Sequence, residues 1–554
     1  MRKALFILLL AAASLVAQHR YDLVVYGGTA GGTMTAVAGA RQGLKVALVN
    51  PGKHIGGLVS GGLSGTDTGR REVIGGLALE FYFRAGRHYG LDRHLQEIAW
   101  MPEPKVAEAI MRDMLKESGV VLFESHRLRE KTGVRKDGTR IVEITMENGA
   151  RFQAGVFTDA SYEGDLMAQS GVSYTFGRES QKQYGESLAG IRAHTPSHQF
   201  AVDIPARDEN GKLLPEISAE PKGEAGAGDK RIQAYNFRVI ATNVPANRVP
   251  WPKPATYDVK RYELLARYLT AMTPYMGRPL DINEVNLLRI IPNGKADFNN
   301  RGGFSTDYIG KNYDFPDGDY ATRERIWKEH EEYQKGFYYF LATDPRVPKA
   351  LQDQMNEWGL ARDEFTDNGN WPHQLYIREA RRMIGEYVAI QKDLQTDLLK
   401  PDVIGMGSYG SDSHNLQRFV NAKGFVENEG DVQVSVKPYQ IAYRSLTPKR
   451  SEVTNLLVPV CLSASHVAYS SMRMEPQYML LGHAAGVAAS LALKRSVAVQ
   501  EVPIAELQKQ LLAEGAVFEL GIEHHNRALA LIRQRYAPPP RTGPAPWARP
   551  APTN

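Results

Sequence analysis

The sequence is short of the residues that announce a disulfide scaffold, a metal centre or a nucleic-acid surface. It holds one cysteine, Cys461, in 554 residues, so no disulfide can form within one chain. That cysteine lies in the apolar run 456–462, where a thiol serves as buried packing. There is no CxxC, no HExxH and no zinc-like spacing, so no metal site is expected. The adjacent His524 and His525 read as surface residues. Charge is nearly balanced at +5, without a basic run interleaved with aromatics, which removes nucleic acid as a partner. Long apolar runs are missing too, so no stable membrane span is expected. The one run near that class, 4–16, follows Arg2 and Lys3 and ends at Leu15-Val16-Ala17. It reads as a signal peptide (1–17) cleaved near Ala17, with export to the periplasm or the medium. No nearby cysteine offers a lipid anchor and no twin arginine precedes it. At the other end, 536–554 is rich in proline and lacks the apolar residues for a core, so it is expected to be a disordered tail.

Between those ends the composition is that of a globular protein, 43% hydrophobic and 23% charged, long enough for two or three domains. The stretch from Tyr21 to Gly62 organises it. An apolar run, Leu23-Val24-Val25-Tyr26, enters Gly27-Gly28-Thr29-Ala30-Gly31-Gly32, then a small-residue helix pattern, then a second apolar run ending at Asn50. Strand, glycine turn, helix and strand in about thirty residues is the layout of a dinucleotide-binding βαβ unit. Gly27 permits the turn, Gly31 and Gly32 permit close helix packing, and unpaired N–H groups at the helix start favour a pyrophosphate. Two features of the usual pattern are absent. Thr29 stands where a third glycine is usual, and Asn50 stands where an acidic ribose ligand is usual. The adenosine half is therefore expected to be held by uncharged contacts, and Asn50→Glu to bind the cofactor at least as tightly. A second glycine-rich loop, carrying His54, Gly56, Gly57, Gly61 and Gly62, follows the second strand. A chain that must pass close to an isoalloxazine ring needs such a loop, which points to FAD rather than NAD. His54, beside the expected flavin, invites a covalent histidyl–flavin bond, with a hydrogen bond or loop packing as the favoured alternative.

Further along, the pattern predicts helices over 75–86 and from Glu103-Pro104, a strand over 120–124, and a hairpin turning at Asn148-Gly149. Residues 256–272 and 324–340 read as amphipathic helices. Residues 455–459 read as a strand, and Glu475-Pro476 opens a helix over 477–494 rich in small residues, Gly482 among them.

The hairpin delivers Asp159-Ala160-Ser161-Tyr162-Glu163-Gly164-Asp165. This DAxYEGD segment, the HxGG of 54–57, the stretches 230–238, 292–295 and 376–382, and Arg473-Met474-Glu475-Pro476 resemble the secreted branch of an FAD-dependent oxidoreductase family. The resemblance covers roughly residues 20 to 495. It implies an α/β fold: a Rossmann-like FAD-binding domain of the GR2 type, with an inserted α+β substrate domain. The expected boundaries are 20–180 and 401–495 for the FAD domain and 185–400 for the inserted substrate or cap domain. A helical segment follows at 496–535. The expected cofactor contacts are Gly27, Gly28, Thr29, Ala30, Gly31, Gly32, Asn50, His54, Gly56, Gly57, Asp159, Glu475 and Gly482.

Three groups are candidates for the chemistry. Helical spacing would put Arg378, Arg381 and Arg382 on one face, suited to a substrate carboxylate or to a salt-bridged surface. In the loop Ser408–His414, Asp412 could orient His414 as a base, or merely cap the loop. Tyr443, Arg444 and His466 lie near the returning FAD segment. The expected function is hydride transfer between a small organic molecule, such as a sugar or uronic-acid derivative, and flavin. Dioxygen or an external electron acceptor would reoxidise the enzyme, as in a dehydrogenase or oxidase. The alternatives are a flavin-containing lyase without net redox change and a non-catalytic carbohydrate-binding protein.

Overall fold

The computed structural model describes residues 18–91 and 97–536. The expected signal peptide, 1–17, lies outside them, as does the expected tail, 536–554, except for Tyr536, which ends the helix Ile522–Tyr536.

The first sheet is built on parallel pairing. β1 (Gln18–Tyr26) lies between β2 (Val46–Val49) and β6 (Arg151–Asp159), parallel to both. β3 (Val121–Phe123) continues beyond β2. β4 (Val134–Asp137) and β5 (Arg140–Thr145) add an antiparallel edge on the other side, giving the order β3-β2-β1-β6-β5-β4. Leu23 to Tyr26 and Val46 to Val49 are buried on both faces, as central parallel strands covered by helices must be. The chain returns very late: Leu456–Leu457 pairs parallel to β6. The β5–β6 hairpin turns over residues 146–150, where Asn148 accepts a hydrogen bond from the Ala150 N–H and Gly149 takes φ +87°.

Helix α1 (Ala30–Arg41) connects β1 to β2 and lies against the helix Glu475–Arg495. Residues 475 to 490 of that second helix are all buried. A helix that is apolar or small on every side belongs in a core. Contact with α1 is backbone to backbone: a Cβ on Gly482 would overlap the carbonyl of Gly31. This corrects the cofactor role expected of Gly482, whose absent side chain serves helix packing.

A second, antiparallel sheet takes all its strands from residues 239 to 361, in the order Asn286–Ile291, Lys295–Asn300, Val239–Thr242, Gly359–Ala361, Arg248–Val249. The long helix Tyr320–Thr343 belongs to the same stretch of chain. Most expected helices shift by a few residues. The 256–272 segment begins as a 3-10 turn at Val259–Tyr262 and becomes α-helical at Glu263–Met276, and the 75–86 helix is Gly76–His88. One expectation fails outright. Residues 375–381 form no helix, and Arg382–Met383 is a short strand. Arg378, Arg381 and Arg382 therefore share no helical face.

Candidate active site

A cavity of about 530 Å³ opens at the C-terminal ends of β1, β2 and β6. Its floor is Gly27, Gly28 and Thr29, with Asn50 and His54 on one side and Ser161, Tyr162 and Glu163 on the other. The helix Tyr320–Thr343 covers it with Tyr320, Arg323 and Trp327. Open parallel sheets bind ligands at this edge.

The glycine turn is shaped for a bound group. Gly27 takes φ +100°, and a Cβ there would strike the Ala160 backbone. Thr29 caps α1, its hydroxyl accepting from the Gly32 N–H at 3.1 Å and donating to the Ala160 carbonyl at 2.8 Å. The first turn of α1 begins at the cavity floor, directly after Thr29. The positive end of a helix favours an oxyanion. With the cavity in front of them, these residues fit the pyrophosphate of FAD.

Asn50 does something other than expected. Its side-chain oxygen accepts from the Gly28 N–H at 2.9 Å, and its amide donates to the carbonyls of Gly52 (2.9 Å) and His54 (2.7 Å). It ties the first glycine turn to the second glycine loop. Both donors are spent on carbonyls, so a carboxylate in its place would face two lone pairs and lose two bonds. The expectation that Asn50→Glu is tolerated is thereby reversed. His54 is held at both ring nitrogens, Nδ1 at 3.0 Å from Glu108 and Nε2 at 3.1 Å from Asp367. The Glu108 hydrogen bond raises its pKa. Gly56 (φ +95°) and Gly57 (φ +56°) turn the loop beneath Tyr162, whose hydroxyl accepts from the Leu58 N–H at 2.9 Å.

Behind Tyr162 stands Glu475, the first residue of the buried helix, accepting from the Tyr162 hydroxyl at 2.8 Å. Its other oxygen has no partner, and burial pushes its pKa up to about 8, so it is protonated at neutral pH. Asp159 lies deeper, accepting from Ser161 and from the Met167 N–H, with burial raising its pKa to about 6. It braces the turn after β6 and does not line the cavity.

From the cavity wall a buried polar chain leads to His414. Gln374 lines the cavity. Two residues on, the Tyr376 hydroxyl accepts from Arg473 at 3.1 Å, and the Arg378 guanidinium lies 4.4 Å over the Tyr376 ring. Arg378 approaches Asp307 at 3.1 Å, and Asp307 meets His414 Nδ1 at 2.6 Å. Burial alone would raise the Asp307 pKa, but Arg378 and His414 hold it at about 2. Burial lowers that of His414 to about 4. At neutral pH Asp307 is a carboxylate that can only accept, so His414 donates from Nδ1 and carries its lone pair on Nε2. That is the tautomer of a general base. The partner expected from the sequence, Asp412, is not the orienting group: its Oδ1 lies 3.9 Å from Nε2, and it bonds Gln433 and Tyr409.

The remaining candidates fall elsewhere. His466 is fully buried, with Nδ1 at 2.8 Å from Glu379 and a pKa lowered by burial to about 3. Arg382 sits in the same network, paired with Glu179 and Glu379. Arg381 pairs with Asp165 and Asp317, and Arg378 gives its terminal nitrogens to Asp307, Asn236 and the Ala234 carbonyl. The three arginines are thus consumed internally, which corrects their reading as a carboxylate clamp. Tyr443 donates to the Val499 carbonyl at 2.7 Å, and Arg444 is half-exposed beside Asp402, so neither joins this site. Sequence reading missed Asp307, Tyr162, Tyr376, Arg473, Arg323 and His373; of these, Tyr162, Tyr376 and Arg473 stood inside motifs already singled out.

A family model for FAD dependent oxidoreductases matches residues 22–511. No curated protein matches the sequence. Among solved structures, the OxyS anhydrotetracycline hydroxylase from Streptomyces rimosus aligns at 14% identity and TM-score 0.21, over 34% of this chain and 42% of its own. An L-amino acid deaminase from Proteus vulgaris aligns at 16% identity and TM-score 0.21, over 29% of this chain and 53% of its own. A geranylgeranyl bacteriochlorophyll reductase-like protein from Thermoplasma acidophilum aligns at 10% identity and TM-score 0.33, over 94% and 88%. This chain thus spans about half the length or less of the first two.

Proposed function

The chain belongs to the FAD dependent oxidoreductase family, and from that premise we propose an exported dehydrogenase or oxidase acting on a hydroxyl-bearing small molecule, a neutral sugar being the favoured class. The enzyme is FAD-dependent and has a flavin redox role. FAD supplies the two-electron chemistry, taking or giving a hydride. The chain's own residues handle the proton. Oxidation of a carbinol releases a proton from the hydroxyl, and His414 Nε2 is the group that takes it. Asp307 fixes the tautomer and stabilises the imidazolium that forms. The observation that carries the reading is this oriented histidine, linked through Asp307 and Arg378 to Tyr376 and Arg473; two residues past Arg473 stands Glu475, which bonds the cavity-lining Tyr162.

A neutral substrate is favoured over a uronate because Arg378, Arg381 and Arg382 are committed to internal carboxylates. Export rests on the first seventeen residues of the sequence. An external electron acceptor or dioxygen completes the cycle. The test is anaerobic mixing of the FAD-loaded protein with a panel of neutral and acidic sugars. Substrate-dependent bleaching of the flavin, with a product short of two hydrogens, is expected from neutral members. Products of unchanged total mass would instead indicate elimination and overturn the proposal.

A further inference from the structure

We propose that His54, Glu108 and His373 form a binding site for a divalent transition-metal ion of the zinc class. The three come from the second glycine loop, from the helix Pro104–Glu117 and from the segment leading to Tyr376. One donor atom from each lies within 4.8 Å of the other two. Two imidazoles and a carboxylate make a set that zinc takes in sites with an open fourth position. Sequence spacing could not reveal it, because no two of the ligands are close in the chain.

The surroundings resemble those that orient metal ligands. A ligating histidine usually donates its second N–H to a carboxylate, and a ligating carboxylate is itself anchored. His54 meets Asp367 through Nε2 at 3.1 Å, which leaves Nδ1 for the ion. Arg112 anchors Oε1 of Glu108 at 2.9 Å, which leaves Oε2, itself 3.0 Å from His54 Nδ1. Between those two atoms the metal-free protein shares a proton, and an ion would take its place.

His373 supplies the independent observation. Both its ring nitrogens are buried and neither has a hydrogen-bond partner. Buried polar atoms without partners are rare and point to something they bind. A purely structural role for His54, as a bridge between Glu108 and Asp367, leaves His373 unexplained. The ring is held between His54, stacked at 3.9 Å and 14°, and the edge of Phe365 at 5.4 Å. Coordination requires the two stacked imidazoles to tilt apart. Both line the cofactor cavity, so the open position would face a water or an oxyanion there. The other carboxylate cluster, Glu103, Asp363 and Glu364, is no rival: the Lys295 ammonium sits among its carboxylates, within 2.7 Å of each.

The test uses the full-length, FAD-loaded protein without a histidine tag. Calorimetric titration with Zn²⁺ should give saturable binding of a single ion. Cu²⁺ in the same site should give an electron paramagnetic resonance spectrum coupled to two imidazole nitrogens. His373→Ala and Glu108→Gln should each weaken Zn²⁺ binding by at least about 100-fold and Asp367→Asn by about tenfold, since outer-shell changes alone cost 10–100-fold. Flavin absorbance and melting temperature report whether each variant is folded, and the Cu²⁺ spectrum needs no variant. Absence of saturable Zn²⁺ binding, a copper spectrum without two imidazoles, or binding that survives both substitutions would overturn the site. None of these results depends on the substrate.

Discussion

Replacing Asp307 by asparagine probes the proposed base directly. When His414 accepts a proton it becomes an imidazolium whose Nδ1 lies 2.6 Å from the Asp307 carboxylate. With charge centres about 4 Å apart and an effective dielectric constant near 20, that attraction is about 4 kcal/mol. Arg378, 3.1 Å from the other carboxylate oxygen, offsets part of it. The expected loss in the rate of flavin reduction is roughly 10²–10³-fold. An asparagine amide can also donate to Nδ1, which would move the imidazole hydrogen to Nε2 and block the base. The assay is anaerobic stopped-flow reduction of the bound flavin, with its spectrum and melting temperature as controls for folding. The pH profile separates orientation from simple destabilisation. In the natural protein the rate should rise as pH passes about 4, where His414 loses its proton. Removing the Asp307 charge removes an upward pull on that pKa, so the limb should move to lower pH. Asp412→Asn, altering a group 3.9 Å from Nε2, should cost far less. A loss below about tenfold for Asp307→Asn, or a larger loss for Asp412→Asn, would refute the assignment.

Asn50→Glu should weaken FAD binding at least about tenfold, since two part-buried hydrogen bonds become two repulsions; fluorescence titration of the apoprotein measures it, and unchanged affinity would contradict the loop-tie role. Glu475 has a folded pKa near 8, above its unfolded value, so its contribution to stability is full below about pH 4.5 and is lost as pH rises through 8. Melting of Glu475→Gln should therefore lose pH dependence across this window relative to the natural protein, and parallel curves would count against a protonated carboxyl. Lys295→Met strips the counter-ion from Glu103, Asp363 and Glu364 and should destabilise by about 3–5 kcal/mol in urea unfolding. A change under about 1 kcal/mol would mean that water or a bound cation replaces the ammonium.

What was legible in the sequence was what is local. The glycine turn, α1, β2 and the β5–β6 hairpin each follow from residues within a few positions of one another, and each formed where the pattern put it. His414 was legible as a base, but its partner was not. Asp307 stands 107 residues away, whereas Asp412 was chosen for nearness along the chain. In the short strand Ser411–Ser413 the Asp412 side chain turns to Gln433 of the neighbouring strand. The arginine motif failed for a related reason. Charged residues spaced three and four apart fit an exposed helix or a buried extended segment equally well. Only the distant carboxylates Glu179, Asp307 and Asp165 decide between them. His373 and Glu108 carried no local signal at all.

The packing of Gly482 on Gly31 also sets an order in time. The glycine turn emerges first from the ribosome, yet the helix that lies against α1, and the strand Leu456–Leu457 that extends its sheet, emerge more than 400 residues later. Until then the dinucleotide-binding half has neither its backing helix nor the Glu475 that meets Tyr162. Contacts of such sequence separation are closed slowly. A nascent chain thus presents an incomplete cradle, and holding FAD becomes a property that only the nearly finished chain can acquire.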